Sequence, residues 1–264
     1  MPHDKPLRTR GASPLAAVRF ALLAGAVATG LPAQAQMAPA GASDLAGIYT
    51  GRRCVTGEGE VCPELSRAGA ETMLTARARA FTEAFDELAA PKYDCAPATL
   101  PGLFGDPYAW EVTQLADRVT FAYEKDDIVR TVWLEGQGHP EPGTGDFFTH
   151  GHSTGRYEGD RLVVETTRFT FDPAGIAGDF LSAPSSTQKR MVERYWREGD
   201  GLRMELTVED PIFLLRPITY VMAWRPNGRP LSLPWGCDPE AAQRNLRLIP
   251  TKYPQDPPVE RRNP

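Results

Sequence analysis

The chain has 264 residues, a formal net charge of −5, and 41% hydrophobic and 24% charged residues. An acidic chain without a basic cluster is poorly suited to nucleic acid, because that binding depends on Lys and Arg displacing phosphate counterions, and it is equally unsuited to anionic lipid surfaces. The length allows one β-rich domain or two small ones, and we expect one.

The first 35 residues have the three parts of a secretory signal peptide. Four basic residues, the last of them Arg19, precede an apolar run at 20–31, which is too short to remain as a membrane-spanning helix. Ala33-Gln34-Ala35 then supplies the small residues that signal peptidase accepts. We therefore predict a signal peptide at 1–35, a periplasmic or secreted mature protein, and no stable membrane insertion after cleavage. A retained anchor is the alternative.

All four cysteines lie in the predicted mature part, namely Cys54, Cys62, Cys95 and Cys237. An even number of cysteines in an oxidising compartment favours disulfides, and four cysteines allow three pairings. We favour Cys54 with Cys62, which a Gly-containing loop separates, and Cys95 with Cys237, which would join the start of the β region to its end. A metal site is the alternative, but the C-x-x-C spacing is missing.

The start of the mature chain predicts a short strand followed by a helix. Residues 36–44 are small and polar, as in a flexible leader, and residues 45–51 resemble a strand. An amphipathic helix over about 70–90 is predicted because its apolar residues recur at alternating steps of four and three, and Pro91 ends it. These apolar residues are Leu74, Ala78, Phe81, Phe85 and Leu88.

From Tyr108 onward the hydrophobic period changes to two, which indicates β-strands. The segments are short and separated by turns rich in Gly and Asp, so consecutive strands are expected to pair antiparallel. We predict one mainly-β domain over 45–249, an antiparallel meander that forms a lipocalin-like barrel or a strongly curved sheet with one N-terminal amphipathic helix. The eight segments are 109–115, 118–124, 128–135, 155–158, 161–169, 189–197, 202–208 and 219–225.

Two long segments rich in Gly, Pro and Ser interrupt the meander, at 136–151 and 171–188. Both carry apolar residues, which favours packing over another part of the molecule, and a lid across a barrel mouth is one possibility. The charged, Pro-rich segment 250–264 is predicted to be a disordered tail.

The segment HGHSTGRYEGDRLVVETTRF at 150–169 resembles the signature of a family of exported bacterial proteins without an assigned reaction. That signature runs approximately G-H-S-x-G-x-W-E-G-D-T-L-V-V-x-T-x-x-F and corresponds to GHSTGRYEGDRLVV at 151–164. This chain departs from it with Tyr157 in place of Trp and Arg161 in place of Thr, and Gln137 stands where an Arg is common. The resemblance implies a secreted β-rich domain. Further stretches in the family's order are 94–102, 108–140, 191–211 and 236–246.

The predicted mature chain has three histidines, and all lie in one loop-to-strand region. His150 and His152 are two apart, so their side chains point to the same side of an extended segment. Because a neutral imidazole can move protons or bind a metal, we predict His152 as a general acid/base and His139 as a substrate-binding residue. A zinc or copper site of all three histidines is a minor alternative, and a structural hydrogen-bonding role remains open. The resemblance includes His139 and His152 but not His150.

Glutamates in the predicted strands are the second set of candidates. Glu124, Glu193 and Arg130 lie in stretches that match the family. A carboxylate facing the inside of a small barrel is costly unless it is paired, and such pairs are where acid–base chemistry arises. We therefore predict Glu124 or Glu193 as a catalytic partner of His152, with Arg130 as the charge partner. The alternative is that these residues form ion pairs on the solvent face.

Other motifs suggest less specific chemistry. The segment 151–155 matches G-x-S-x-G, but a nucleophile elbow needs a strand before the serine and a helix after it. Aromatic residues of the strands, among them Tyr123, Trp133 and Trp196, are predicted to line a site for a small hydrophobic or aromatic ligand, although core packing is their commoner role.

These observations favour an exported barrel whose interior binds a small apolar or aromatic molecule. In the enzymatic version, a lyase, isomerase or hydrolase would use His/Glu acid–base chemistry, and no cofactor is predicted. The alternatives are a non-catalytic carrier or sensor with the same pocket, and a structural domain of the cell envelope. The sequence predicts a small-molecule ligand and no nucleic-acid partner, and it specifies neither the substrate nor the oligomeric state.

Overall fold

A computed structural model describes residues 41–55, 72–86, 90–139, 141–176 and 183–246. The described residues form nine strands that close into one barrel, which confirms the mainly-β barrel prediction. Each predicted strand segment corresponds to one observed strand, with shifts of up to three residues at the ends. The strands are β1 Gly47–Cys54, β2 Trp110–Gln114, β3 Arg118–Tyr123, β4 Val129–Leu134, β5 His152–Glu158, β6 Arg161–Thr167, β7 Arg190–Glu198, β8 Gly201–Glu209 and β9 Ile218–Pro226.

The strand β1 closes the barrel by pairing with the first and the last strands that follow it. Its residues 47–49 pair antiparallel with β2, and its residues 49–54 pair antiparallel with β9. The register shifts between Thr50 and Arg53, where β1 passes from one neighbour towards the other. We call this region the β1 seam.

One neighbour pair, β4 with β5, is parallel, whereas the sequence predicted that consecutive strands would be antiparallel throughout. The reason is geometric. In a closed barrel whose neighbouring strands are all antiparallel, the strand direction alternates around the barrel, and this is possible only with an even number of strands. A barrel of nine strands therefore needs a parallel pair. A parallel pair needs a long connection that returns the chain to the starting end. The segment 135–151 is that connection, and we call it the crossover.

Two α-helices accompany the barrel among the described residues, α1 at Ala76–Ala84 and α2 at Pro239–Leu246. The N-terminus of α1 is capped by Thr75, whose side chain accepts a hydrogen bond from the Ala78 amide at 3.1 Å. Within the described residues α1 is therefore shorter than the predicted helix, and α2 was not predicted. No helix of the described ranges has the length and apolar composition needed to cross a membrane.

A disulfide joins Cys95 to Cys237, with a Cα–Cα distance of 5.9 Å, as the sequence predicted. Cys54 is also disulfide-bonded, and its expected partner Cys62 lies outside the described residues. The predicted signal peptide at 1–35, most of the predicted leader and the tail at 250–264 lie outside them as well. At the described end of that leader, the Ser43 amide donates to the Asp160 carbonyl at 3.1 Å.

Aromatic side chains fill the barrel around Trp110. Its ring centroid lies 5.8 Å from that of Tyr49, 5.7 Å from Phe121 and 5.6 Å from Tyr123. Such tilted and stacked ring contacts add to the stabilisation from buried area. A cavity of about 10 Å³ lies beside Trp110 and Tyr123, against the turn at Gly102–Gly105. That volume holds about one water molecule, so side chains occupy the interior here.

Candidate functional site

The interior of the barrel holds a buried ion pair between Arg130 on β4 and Glu193 on β7. Two guanidinium nitrogens of Arg130 donate to the two carboxylate oxygens of Glu193, each at 2.8 Å. Arg130 is 3% exposed and Glu193 is fully buried. A bidentate pair of this kind is the strongest arrangement for these two groups, and it offsets the cost of removing both charges from water.

Three further side chains complete this interior network. Arg130 donates to Ser153 Oγ at 3.0 Å and to Thr166 Oγ1 at 2.6 Å, so each of its three guanidinium nitrogens has an acceptor. Tyr195 donates its hydroxyl to Glu193 at 2.6 Å. Burial and the nearby Glu193 charge raise the pKa of Tyr195 well above its ordinary value, so the hydroxyl keeps its proton. The charged groups of the network are therefore paired by its own members, whereas the nearby Tyr123 hydroxyl is buried without a hydrogen-bond partner among the described residues.

A second cluster lies at the crossover and the start of β5, and we call His139, Glu141 and His152 the histidine cluster. The ring centroids of His139 and His152 are 5.4 Å apart. The Nε2 atom of His139 lies 3.5 Å from a carboxylate oxygen of Glu141. The Nε2 atom of His152 is buried and has no hydrogen-bond partner among the described residues. Burial, followed by the neighbouring His139, lowers the pKa of His152.

Local backbone geometry brings the crossover into β5 at this point. Gly151 has a φ of +70°, and a Cβ atom there would lie 2.6 Å from a methyl carbon of Thr166 and 2.7 Å from the Thr167 carbonyl oxygen. Only glycine therefore fits this turn, because other residues combine an unfavourable φ with a clash. The turn sets the position of His152, the next residue.

Aromatic and basic residues hold the cluster in place. The Trp133 ring stacks on His139 with centroids 5.8 Å apart, and the Phe148 ring lies 6.4 Å from His152. Arg168 donates to the Gly143 carbonyl at 2.8 Å, and the Phe148 amide donates to the Arg168 carbonyl at 2.8 Å. Two contacts with Arg168, the residue that follows β6, thus hold the part of the crossover between Glu141 and His152.

The structure does not bring His150 into this cluster. Its Nε2 atom lies 3.0 Å from the Ala98 carbonyl oxygen, and the ring packs towards the segment that precedes β2. Burial lowers the pKa of His150. The three histidines considered in the sequence analysis are therefore divided into a pair and a separate residue.

The histidine cluster and the interior network lie on opposite faces of the barrel wall. Ser153 and His152 are consecutive in β5, and consecutive side chains of a strand point to opposite faces. Ser153 contacts Arg130 inside the barrel, so His152 lies on the outer face. The structure joins Arg130 to Glu193, as the sequence suggested, but it does not join either of them to His152.

The remaining predicted site residues are dispersed. Tyr123 lies inside the barrel and stacks on Trp110, whereas Trp196 lies on the outer face, where the Arg161 guanidinium is 4.4 Å from its ring. Glu124 lies at the end of β3, where its carboxylate accepts the amides of Ala109 at 3.1 Å and Ser232 at 2.6 Å. Neither Trp196 nor Glu124 contacts the histidine cluster or the interior network among the described interactions.

An open groove of about 690 Å³ runs along the β1 seam, and we call it the seam groove. Arg225 and Arg229 line it, and neither guanidinium forms a hydrogen bond or an ion pair with a described residue. Arg225 packs over Gly51, where a Cβ atom would lie 2.7 Å from its Nε atom and where φ is +64°. The other lining residues include Thr50, Tyr108, Glu124, Asn227, Leu231 and Ser232.

Lys189, which the sequence analysis did not single out, is buried at one end of the barrel. Its ammonium group donates to the Leu100 carbonyl at 2.6 Å and to Ser185 Oγ at 3.0 Å. It also lies 4.3 Å from the ring centroid of Phe169. Burial lowers the pKa of Lys189 to about 8. Lys189 thus links the segments that carry Leu100 and Ser185 to the start of β7.

Sequence reasoning also missed Glu141 and Thr166. Thr166 follows from the alternation in β6, because it shares its face with Leu162 and Val164, both buried. Glu141 had no such signal, since it lies in a Gly/Pro-rich segment without periodicity, and the path of the crossover brings it to the histidines.

Models of known protein families give no match to this chain, and no curated protein matches it.

Proposed function

We propose that this chain is an exported carrier that binds a small molecule with an anionic group and an apolar or aromatic body in the seam groove. The observation that carries the proposal is a groove of ligand size lined by two arginines, neither of which forms a hydrogen bond or an ion pair with a described residue. Its volume of about 690 Å³ falls in the range of roughly 300–1,000 Å³ that is usual for small-molecule sites.

The charges of the groove favour an anion. Arginine presents a planar fork of donors that fits carboxylate and phosphate groups. The single lining carboxylate, that of Glu124, is turned to the amides of Ser232 and Ala109. Tyr108, 39% exposed, offers an aromatic surface beside the arginines and contacts the Trp235 ring at 4.4 Å. A ligand with a ring and an acidic group would satisfy both features.

Binding without catalysis is favoured by the state of Glu124. Burial opposes ionisation of this carboxyl, but the hydrogen bonds from Ser232 and Ala109, together with the charge of Arg229, outweigh that effect and lower its pKa. A carboxylate held ionised by two amides is a poor general acid. The predicted base His152 lies at the crossover and is not part of the groove. The geometry therefore supports a carrier or sensor better than a lyase, isomerase or hydrolase.

Export is supported by the signal-like sequence at 1–35 and by the disulfide between Cys95 and Cys237, because disulfides persist in oxidising compartments. Fractionation of the native host, followed by N-terminal sequencing, tests it. We expect a periplasmic or secreted product that begins at Gln36, and a cytoplasmic product with residues 1–35 retained would contradict export.

Calorimetric titration with benzoate tests the binding proposal, with benzamide as its neutral isostere. We expect saturable benzoate binding that weakens with salt and that exceeds benzamide binding. Charge-assisted hydrogen bonds contribute about 1.5–3 kcal/mol, so the R225A/R229A double variant should bind benzoate at least about tenfold more weakly. Mass spectrometry of small molecules that co-purify with the protein would then identify the natural ligand.

The matched control is Arg156→Ala, which removes a surface arginine of β5 that pairs with Glu158 away from the groove. It should leave benzoate affinity within about twofold, because exposed charges act weakly at a distance. Equal binding of benzoate and benzamide, or an unchanged affinity in the double variant, would contradict the proposal.

A further inference from the structure

The histidine cluster contains a buried polar atom without a hydrogen-bond partner, which is energetically unfavourable. The Nε2 atom of His152 is buried and has no hydrogen-bond partner among the described residues. A buried polar atom without a partner costs about 1–3 kcal/mol. The Tyr123 hydroxyl is the other such atom among the described residues. It lies inside the barrel among aromatic rings, whereas His152 Nε2 lies beside other potential ligand groups.

The neighbouring groups have the chemistry of metal ligands. His139, Glu141 and His152 each offer one ligand atom, and these three atoms all lie within 4.8 Å of one another. Zinc bound tetrahedrally at about 2.0–2.1 Å separates its ligand atoms by about 3.3 Å. The 3.5 Å between His139 Nε2 and the Glu141 carboxylate is already close to that separation. Small side-chain rotations would bring all three onto one ion.

The cluster is also held and accessible in the way a metal site requires. Trp133 stacks on His139, and Arg168 and Phe148 tie the crossover to the barrel. Metal ligands that are fixed by such surrounding contacts lose less freedom when the ion binds. The Glu141 side chain is 80% exposed, so an ion can enter from the solvent on that side.

We propose that His139, Glu141 and His152 form a binding site for a divalent transition metal ion, with zinc as the first candidate. Two imidazoles and one carboxylate are a donor set that suits zinc, and they leave a fourth position for water. The same donors bind copper(II) more tightly by the general order of metal affinities. The site lies outside the seam groove and does not depend on the proposed carrier function.

Isothermal titration of untagged, EDTA-treated protein with zinc chloride tests the proposal. We expect one zinc ion per chain. Loss of a contact around a metal ligand weakens binding by about 10–100-fold, so loss of a ligand itself, in His139→Ala or His152→Ala, should weaken it by at least about 100-fold. Glu141→Gln should weaken it by about tenfold, and because this side chain is exposed, the change does not disturb folding.

His150→Ala is the matched control, since His150 has the same chemistry two residues away but lies against Ala98. It should keep zinc affinity within about twofold. Zinc should also raise the melting temperature of the native protein and of His150→Ala, but not that of His152→Ala, because a ligand that binds the folded state stabilises it.

A spectroscopic measurement locates the ion independently of affinity. Copper(II) bound at the cluster would lie beside Trp133, which stacks on His139, and should quench its fluorescence. Trp133→Phe should remove most of that quenching and keep zinc affinity within about threefold. Two results would overturn the proposal. The first is that no stoichiometric zinc binds at a concentration of about 10⁻⁴ M, which is near the dissociation constants of the weakest specific metal sites. The second is that His150→Ala weakens zinc binding as much as His152→Ala does.

Discussion

The two faces of the β4–β5 wall carry polar groups in opposite states. On the inner face, Arg130 and Glu193 are buried, and every guanidinium nitrogen of Arg130 has an acceptor. On the outer face, the two rings of the histidine cluster are close together, and the Nε2 atom of His152 has no hydrogen-bond partner among the described residues. The inner groups stabilise one another, whereas the outer groups remain able to bind something else.

This difference indicates which of the two sets of polar groups can take part in binding. A buried network whose opposite charges are paired with each other and shielded from water serves to specify how the barrel packs. In the histidine cluster, the Nε2 atom of His152 has no such partner among the described residues. Three substitutions test the comparison.

The largest effect is expected from Glu193→Leu, which leaves the Arg130 guanidinium buried without its counter-charge. Removing one partner of a buried ion pair costs about 3–5 kcal/mol in the free energy of unfolding. Urea denaturation measures this loss. The double variant Arg130→Met/Glu193→Leu should recover much of it, because no unpaired charge remains.

The matched control for that loss is Glu205→Leu, which breaks the outer-face pair between Arg194 of β7, the strand that also carries Glu193, and Glu205 of β8, at 3.4 Å. Exposed pairs contribute about 0–1 kcal/mol. If Glu193→Leu were no more destabilising than Glu205→Leu, the contrast between the two faces would be wrong.

The second test concerns Lys189, a buried lysine whose hydrogen-bond acceptors are all uncharged. Burial lowers its pKa to about 8 from the ordinary 10.5, so between these values the unfolded chain binds a proton that the folded chain does not. Stability therefore rises with pH across this window. From pH 7 to pH 10, the free energy of unfolding of the native protein should rise by roughly 2–3 kcal/mol relative to Lys189→Met.

Denaturation series of both proteins at several pH values check this prediction. Other titrating groups are common to the two chains, so they cancel in the difference. Parallel curves for the native protein and Lys189→Met would show that the lysine has the same affinity for protons in the folded and the unfolded states.

The smallest effect is expected from His152→Ala in the presence of a chelator. The substitution breaks no hydrogen bond of Nε2, and the ring is only partly buried, so the free energy of unfolding should change by less than about 1 kcal/mol. Urea denaturation measures it. A loss of several kcal/mol would instead identify His152 as a structural residue of the crossover.

Most of the barrel could be predicted from the sequence because period-two alternation and turn residues depend on local chemistry. The beginning of β5 could not, because residues 152–154 follow a Gly/Pro-rich segment. Their extended form comes from pairing with β6, where His152 lies opposite Thr167, and with β4, where Ser153 lies opposite Val132. The length of the 136–151 segment permits a parallel pair but does not indicate one by itself, because the similarly long segment 171–188 joins the antiparallel pair β6 and β7.

The sites were less predictable than the fold. Arg130 and Glu193 share their faces with buried apolar residues such as Val132 and Tyr195, so alternation places them inside. The alternation of side chains along a strand also places His152 and Ser153 on opposite faces of β5. It could therefore have shown that His152 does not point into the interior, where Glu193 lies. The approach of Glu141 to the histidines, and the burial of Lys189 under Leu100, depend on the paths of irregular segments, which local patterns do not describe.

The position of β1 has a consequence for any shortened form of the protein. The disulfide between Cys95 and Cys237 encloses β2 to β9, so β1 is the one described strand outside that covalent loop. A chain that began after Cys54 would leave β2 and β9 as two open edges, with unpaired amides and carbonyls facing each other across a vacant place. Open edges of this kind accept strands from other molecules. Such a chain should exchange strands with other copies or aggregate, whereas a chain that begins before Gly47 keeps β1 to fill the place between β2 and β9.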